Sequence, residues 1–336
     1  METLAANATR QGQYGAAAQM FDDLDKLFGA KMPDAGKNIR EQRHVAALLQ
    51  HLPAQTIHVS ADFTLPRVGL EYPVTIAGKQ FSAQMDTGAE LSVLSATTAK
   101  NWGVTLLDGT ATLHGYGGGA FSAQPGVIPM LQIGKAELHN VAVYVTADQN
   151  LYIAKIKRQT NALLGYPVVS ALGRLTFSRD GTLSIAAQSP AVDPRTDIRL
   201  WFGRHALLLP LNTMPALAGD KVGASQPRLF VLDTGSGSSW LTDHYLAEHA
   251  DLFHGPPPET AKLAGADGIH ESPAYAAHQL PLFVGTRLVS LNGQHVLASP
   301  QAGEFEHYFG LIGQDLLQSF ASYTLDFRKR TFSVAP

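Results

Sequence analysis

The sequence predicts a mostly β protein of two lobes related by a pseudo-two-fold axis, preceded by a short N-terminal helical hairpin. Three observations carry this expectation. The triplet Asp-Thr-Gly occurs twice, at Asp86-Thr87-Gly88 and Asp233-Thr234-Gly235, each after an apolar lead-in. A second triplet, two apolar residues and a glycine, also occurs twice. Gly165 of Leu163-Leu164-Gly165 lies 79 residues past Asp86, and Gly313 of Leu311-Ile312-Gly313 lies 80 past Asp233. The tails match as well: Leu175-Thr176-Phe177 and Leu183-Ser184-Ile185 correspond to Leu325-Asp326-Phe327 and Phe332-Ser333-Val334. A period near 147 residues is too long for a solenoid unit and suits a lobe.

Residues 1–53 have a different texture. Ala17, Met20, Phe21, Leu24, Leu27 and Phe28 fall at the three-four spacing of an amphipathic helix. Met32-Pro33-Asp34-Ala35-Gly36 reads as a break, and Ile39, Ala46, Leu48 and Leu49 as a second helix ending before Pro53. The apolar stripe must be covered, and the outside of the first lobe is the nearest surface. An inhibitory prosegment or a partner-docking arm is the alternative use of this segment.

From Thr56 the pattern turns to short strands. Val74 and Ile76, an Ala77-Gly78-Lys79 turn, and Phe81, Ala83 and Met85 alternate with period two. Thr110 to Phe121, with Tyr116, Gly117 and Gly118 at its tip, reads as a hairpin. A phosphate loop is excluded there, because no Gly-Lys-Ser/Thr follows. Ala187 to Pro194 is a proline-spaced linker, so the expected division is 1–53, 54–188 and 189–336. The last unit repeats the plan: a strand at Leu207-Leu208-Leu209, an insertion from Pro215 to Pro227, and a second hairpin around Gly265.

Composition excludes several classes. A formal net charge of −3, with no basic run, gives nucleic acid no electrostatic footing. There is no cysteine, hence no disulfide framework, thiolate metal site or thiol nucleophile. No apolar run approaches the ~18 residues of a spanning helix, and Met1 to Gln13 has no signal-peptide pattern. His244 and His249 are five apart and no His-Glu-x-x-His occurs, so a metal is not expected.

The paired Asp-Thr-Gly and apolar-apolar-Gly motifs resemble those of the aspartic proteases, in particular the bacterial retropepsin-like proteins with two lobes in one chain. The resemblance covers residues 66 to 336. It implies one catalytic aspartate per lobe, Asp86 and Asp233, with Thr87 and Thr234 bonding across the lobe interface and the apolar-apolar-Gly strand packed beneath each loop. It further implies hairpins that act as flaps over a peptide or protein substrate, with Tyr116, Gly117, Gly118 and Gly265 as flap residues. The implied reaction is peptide hydrolysis by an activated water, with no cofactor. Export to the periplasm or outside the cell is expected from such proteins, with the cytoplasm as the alternative. Both aspartates lie in one chain, so a monomer can complete the pair. The chemical logic is independent of the family. Two facing carboxyls cannot both ionise and so share a proton, and Gly88 and Gly235 let backbone approach them without a Cβ.

Ala89 follows the first triplet and Ser236 the second. A Ser236 hydroxyl bonded to Asp233 would favour charge there and leave the shared proton on Asp86. Tyr116 and Tyr275 are candidates to lie over the site, against an ordinary half-buried role for either. Glu90 is read as a solvated loop residue. Two rival functions remain from the residues alone. One is a catalytically silent peptide-binding module using the same cleft. The other is a serine hydrolase using Ser236 or Ser238, which no Gly-x-Ser-x-Gly elbow supports.

Overall fold

The computed structural model describes residues 2–31, 33–115, 119–153, 158–203, 206–213, 227–265, 268–301 and 303–335. The insertion expected from Pro215 and the tip residues Tyr116, Gly117 and Gly118 lie outside the described residues.

The N-terminal unit has three helices where the sequence suggests two: α1 (Glu2–Arg10), α2 (Tyr14–Phe28) and α3 (Pro33–Leu49). The expected break at Pro33 is instead a helix start. Proline lacks only an N–H that the first turn cannot use, and its fixed φ suits that position. The helices close on one another through small residues, with Ala5, Ala8, Ala17 and Ala46 around Phe21, Leu24 and Ile39. This corrects the expected stripe. Phe21 and Leu24 are buried, whereas Met20, Leu27 and Phe28 are exposed. The face that docks on the body carries Tyr14 and Leu49, which join Leu91, Val93, Ala111, Ala123 and Tyr144 in one apolar cluster.

The remainder is mostly β. Among the described residues, a nine-stranded sheet draws its strands from residues 56–164 and an eight-stranded sheet from residues 201–312. The strand Tyr72–Ile76 shows why the segment folds so. Tyr72, Val74 and Ile76 face the core and the alternate residues do not. It returns through Ala77 and Gly78, both with positive φ (49° and 75°), as a two-residue hairpin turn requires.

A six-stranded sheet joins the halves, in the order Ile198–Arg199, Thr331–Ala335, Ser322–Asp326, Arg174–Ser178, Thr182–Ala186, Phe63–Pro66. At its centre Arg174–Ser178 runs antiparallel to Ser322–Asp326, with Thr176 opposite Thr324 and their hydroxyls 2.8 Å apart. The strands Arg174–Ser178 and Ser322–Asp326 begin the same distance past Gly165 and Gly313, which shifts the match of the tails by two residues from the sequence expectation; Thr176 is the equivalent of Thr324, and their meeting marks the pseudo-two-fold axis. Leu175, Phe177, Leu325 and Tyr323 are buried along it, and Phe177 stacks on Tyr323 at 4.8 Å.

Candidate active site

Each Asp-Thr-Gly loop is held in the same way. The strand Lys79–Met85 leads into the first, and the strand Ala162–Leu164 lies parallel beside it, with Leu164 opposite Met85. The Asp86 N–H donates to the Leu164 carbonyl at 3.0 Å. In the second half Arg228–Leu232 and Gly310–Ile312 repeat this, and the Asp233 N–H donates to the Ile312 carbonyl at 3.0 Å. The glycine that ends each neighbouring strand is needed for closeness. A Cβ on Gly165 would stand 2.4 Å from the Leu91 carbonyl carbon, and one on Gly313 would stand 2.7 Å from the Ser238 carbonyl oxygen.

The two loops are tied across the interface by four bonds. Thr87 Oγ1 donates to the Leu232 carbonyl at 2.8 Å and accepts the Thr234 N–H at 3.0 Å. Thr234 Oγ1 donates to the Met85 carbonyl at 2.8 Å and accepts the Thr87 N–H at 3.1 Å. Both threonines are buried, so each bond satisfies a group that water cannot reach.

This frame brings the buried carboxyls of Asp86 and Asp233, 8% and 5% exposed, close enough for each to shift the titration of the other. Gly235 lies against the partner loop's acid, since a Cβ there would come within 2.4 Å of the Asp86 carboxyl carbon. Asp86 Oδ1 accepts the Gly88 and Ala89 N–H groups at 2.8 and 3.1 Å. Asp233 Oδ1 accepts those of Gly235 and Ser236 at 2.7 and 3.1 Å. Burial pushes both carboxyls above the usual carboxylate range, and at Asp233 the adjacent Asp86 charge pushes further. The backbone donors oppose that rise on both sides. One shared proton is the state that satisfies both acids.

The expected proton assignment is corrected. The Ser236 hydroxyl donates to the Ser238 carbonyl at 2.9 Å and not to Asp233. Ser236 reaches Asp233 through its backbone N–H, at the distance Ala89 reaches Asp86, so the change of side chain between the loops does not select the charged acid. Glu90 differs from expectation too: it is half-buried and close enough to the Tyr144 phenol to help burial raise that group's pKa.

Four residues passed over in the sequence support the loops. Ser92 Oγ accepts the Gly165 N–H at 3.1 Å, and Ser239 Oγ accepts the Gly313 N–H at 2.9 Å. Both serines lie six residues past their aspartate, a repeat that was available to be read. Gln84 donates to the Gly235 carbonyl at 2.7 Å and Gln314 to the Thr234 carbonyl at 2.8 Å.

The first hairpin pairs Ala111–His114 with the start of Ala120–Ile133, and the second pairs Glu259–Gly265 with Gly268–Ala276, Gly265 facing Gly268. Tyr275 is half-buried; its hydroxyl donates to the Gly255 carbonyl at 2.6 Å and its ring packs on Phe253. His244 meets the Glu306 carbonyl at 2.7 Å, and burial lowers the pKa of His249. Among the described residues no group of three or more His, Cys, Asp or Glu is placed to hold a metal.

Residues 72–168 match the family model described as aspartyl protease. The chain is also similar to the crystal structure of aspartic proteinase from Irpex lacteus, with 12% identity and a TM-score of 0.45 over 82% of this chain and 97% of that one. No curated protein matches it.

Proposed function

We propose that the chain is an aspartic endopeptidase of retropepsin-like type that hydrolyses peptide bonds with a water activated between Asp86 and Asp233. The observation that carries this reading is the pair of buried carboxyls, one from each aspartate loop, brought together by the reciprocal threonine bonds. The aspartyl protease match over the first loop and its neighbouring strand supports it.

In the proposed cycle the ionised carboxylate takes a proton from the water while the protonated partner donates to the scissile carbonyl oxygen. Water oxygen bonds to the carbonyl carbon and gives a neutral tetrahedral diol. The carboxyl that received the proton then passes it to the amide nitrogen. As the C–N bond breaks, the other carboxylate recovers a proton from a diol hydroxyl. The pair ends with one proton, as it began. No covalent enzyme intermediate forms, and both acids come from one chain, so a monomer suffices.

The test is turnover of a denatured protein. Asp86→Asn and Asp233→Asn should each lower kcat/KM on the order of 10³-fold or more, and the double variant little further, because the two act as a unit. A statine-type transition-state mimic should inhibit the wild-type protein. Tight peptide binding by the wild type without cleavage would favour the silent binding module instead.

A further inference from the structure

Away from the aspartates, a cavity of about 280 Å³ is lined by residues of α1, the helix Tyr166–Ala171, the strand Trp201–Phe202 and the turn after Asp326. Its described lining carries three arginines, Arg10, Arg328 and Arg330, and no carboxylate. Arg10 is 2% exposed and forms the wall: it donates to Asn7 Oδ1 at 3.1 Å and to the Gly203 carbonyl at 3.0 Å. Its guanidinium stands 5.9 Å from the Tyr166 ring centroid. Arg328 and Arg330 reach in from an exposed turn, and Arg328 donates to a neutral partner, the Ala186 carbonyl, at 2.9 Å.

The opposite lining is aromatic. Phe202 and Phe327 each meet the Tyr166 ring edge-on, at 5.8 and 5.6 Å between centroids. Asn7, Gln11 and Ser170 add uncharged polar groups.

A concavity with cations and no carboxylate concentrates anions. The planar fork of a guanidinium matches the oxygens of a carboxylate or phosphate. Aromatic walls add apolar area for a ring, and the volume lies at the small end of ligand pockets. We propose that this cavity binds a small anion bearing an aromatic ring, its carboxylate or phosphate held by Arg328 and Arg330 and its ring against Phe202 and Phe327. The ligand would clasp the helical unit to the body, because the lining comes from α1 and from both halves. It would also touch Tyr166, whose N–H donates to the Ala89 carbonyl in the first aspartate loop at 2.8 Å.

Calorimetric titration and thermal melting of the full chain test this with three probes: N-acetylphenylalanine, its neutral amide, and phenyl phosphate. At least one of the two anions should bind and raise Tm by several degrees at about a hundredfold excess over Kd. The tighter of the two identifies the oxyanion. The amide should bind at least tenfold more weakly than the tighter anion. Arg328 and Arg330 sit on an exposed turn, so the double variant Arg328→Gln, Arg330→Gln should keep the unliganded Tm and lose anion binding tenfold or more. Binding of the amide as tight as that of the tighter anion, unchanged binding by the double variant, or no binding of either anion at millimolar concentration would overturn the proposal. The amide comparison needs only wild-type protein.

Discussion

At the residue scale, the pair Asp86 and Asp233 sits in an environment that opposes full ionisation, and this has a measurable cost. In the unfolded chain both acids ionise near pH ~4. In the folded chain burial raises both titrations, and the neighbouring Asp86 charge raises that of Asp233 further. Above pH ~4 the folded state therefore holds more protons than the unfolded one, and stability falls as pH rises through the folded pKa. Below about pH 4 the penalty is absent. Asp233→Asn removes one member of the pair and with it the like-charge neighbour. The variant should melt above wild type at pH 7, by about 1.4 kcal/mol for each unit of raised titration relieved. The difference should close as pH drops below about 4. Melting curves of both proteins from pH 3 to 8 measure this, and a gap that does not vary with pH would remove the shared-proton account. The same substitution is expected to lower turnover on the order of 10³-fold or more, so stability and activity should move in opposite directions.

At the element scale, the helical unit backs the first aspartate loop and the base of the first hairpin. Tyr14 and Leu49, each 1% exposed, cover Leu91 and Val93 just past Asp86, and Ala111 and Ala123 in the hairpin arms. His44 Nε2 meets the Thr110 carbonyl at 2.8 Å, at the foot of that hairpin. Deleting residues 1–53 would expose this apolar face, so both Tm and turnover should fall. Leu49→Ala alone should cost about 2–5 kcal/mol, the usual range for emptying a buried leucine site. A rise in turnover on deletion would make the unit an inhibitory prosegment. Legibility in the sequence follows the same division. The repeated loops could be read because each needs fixed residue types at fixed spacing. Helix α1 could not, since it buries through Ala5, Ala6 and Ala8 and has no large apolar stripe. Gln84 could not either: its counterpart in the second half is Val231, so no repeat marks it. The pairing of Arg174–Ser178 with Ser322–Asp326 spans about 150 residues of chain, and nothing in the local alternation of either strand specifies that partner.

At the scale of the whole molecule, the halves are joined by the threonine bonds between the aspartate loops and by the six-stranded sheet to which both contribute. The sheet makes the halves interdependent. Without the second half, Arg174–Ser178 would present an open edge, and Phe177 would lose its stacking partner Tyr323. The intact chain should therefore unfold in a single transition, with tryptophan fluorescence and far-UV circular dichroism coinciding. Residues 54–188 expressed alone should not persist as a folded monomer. The register supplies an alternative partner. Thr176 sits opposite Thr324 on the pseudo-axis, so a second copy could place its own Thr176 there and close a symmetric dimer with two Asp86 loops face to face. Light scattering on the excised segment should then show dimer or larger species whose ellipticity falls on dilution. A well-folded monomer at micromolar concentration, with the same strand signal at every dilution, would show that the shared sheet is dispensable for the first half and that the lobes fold separately.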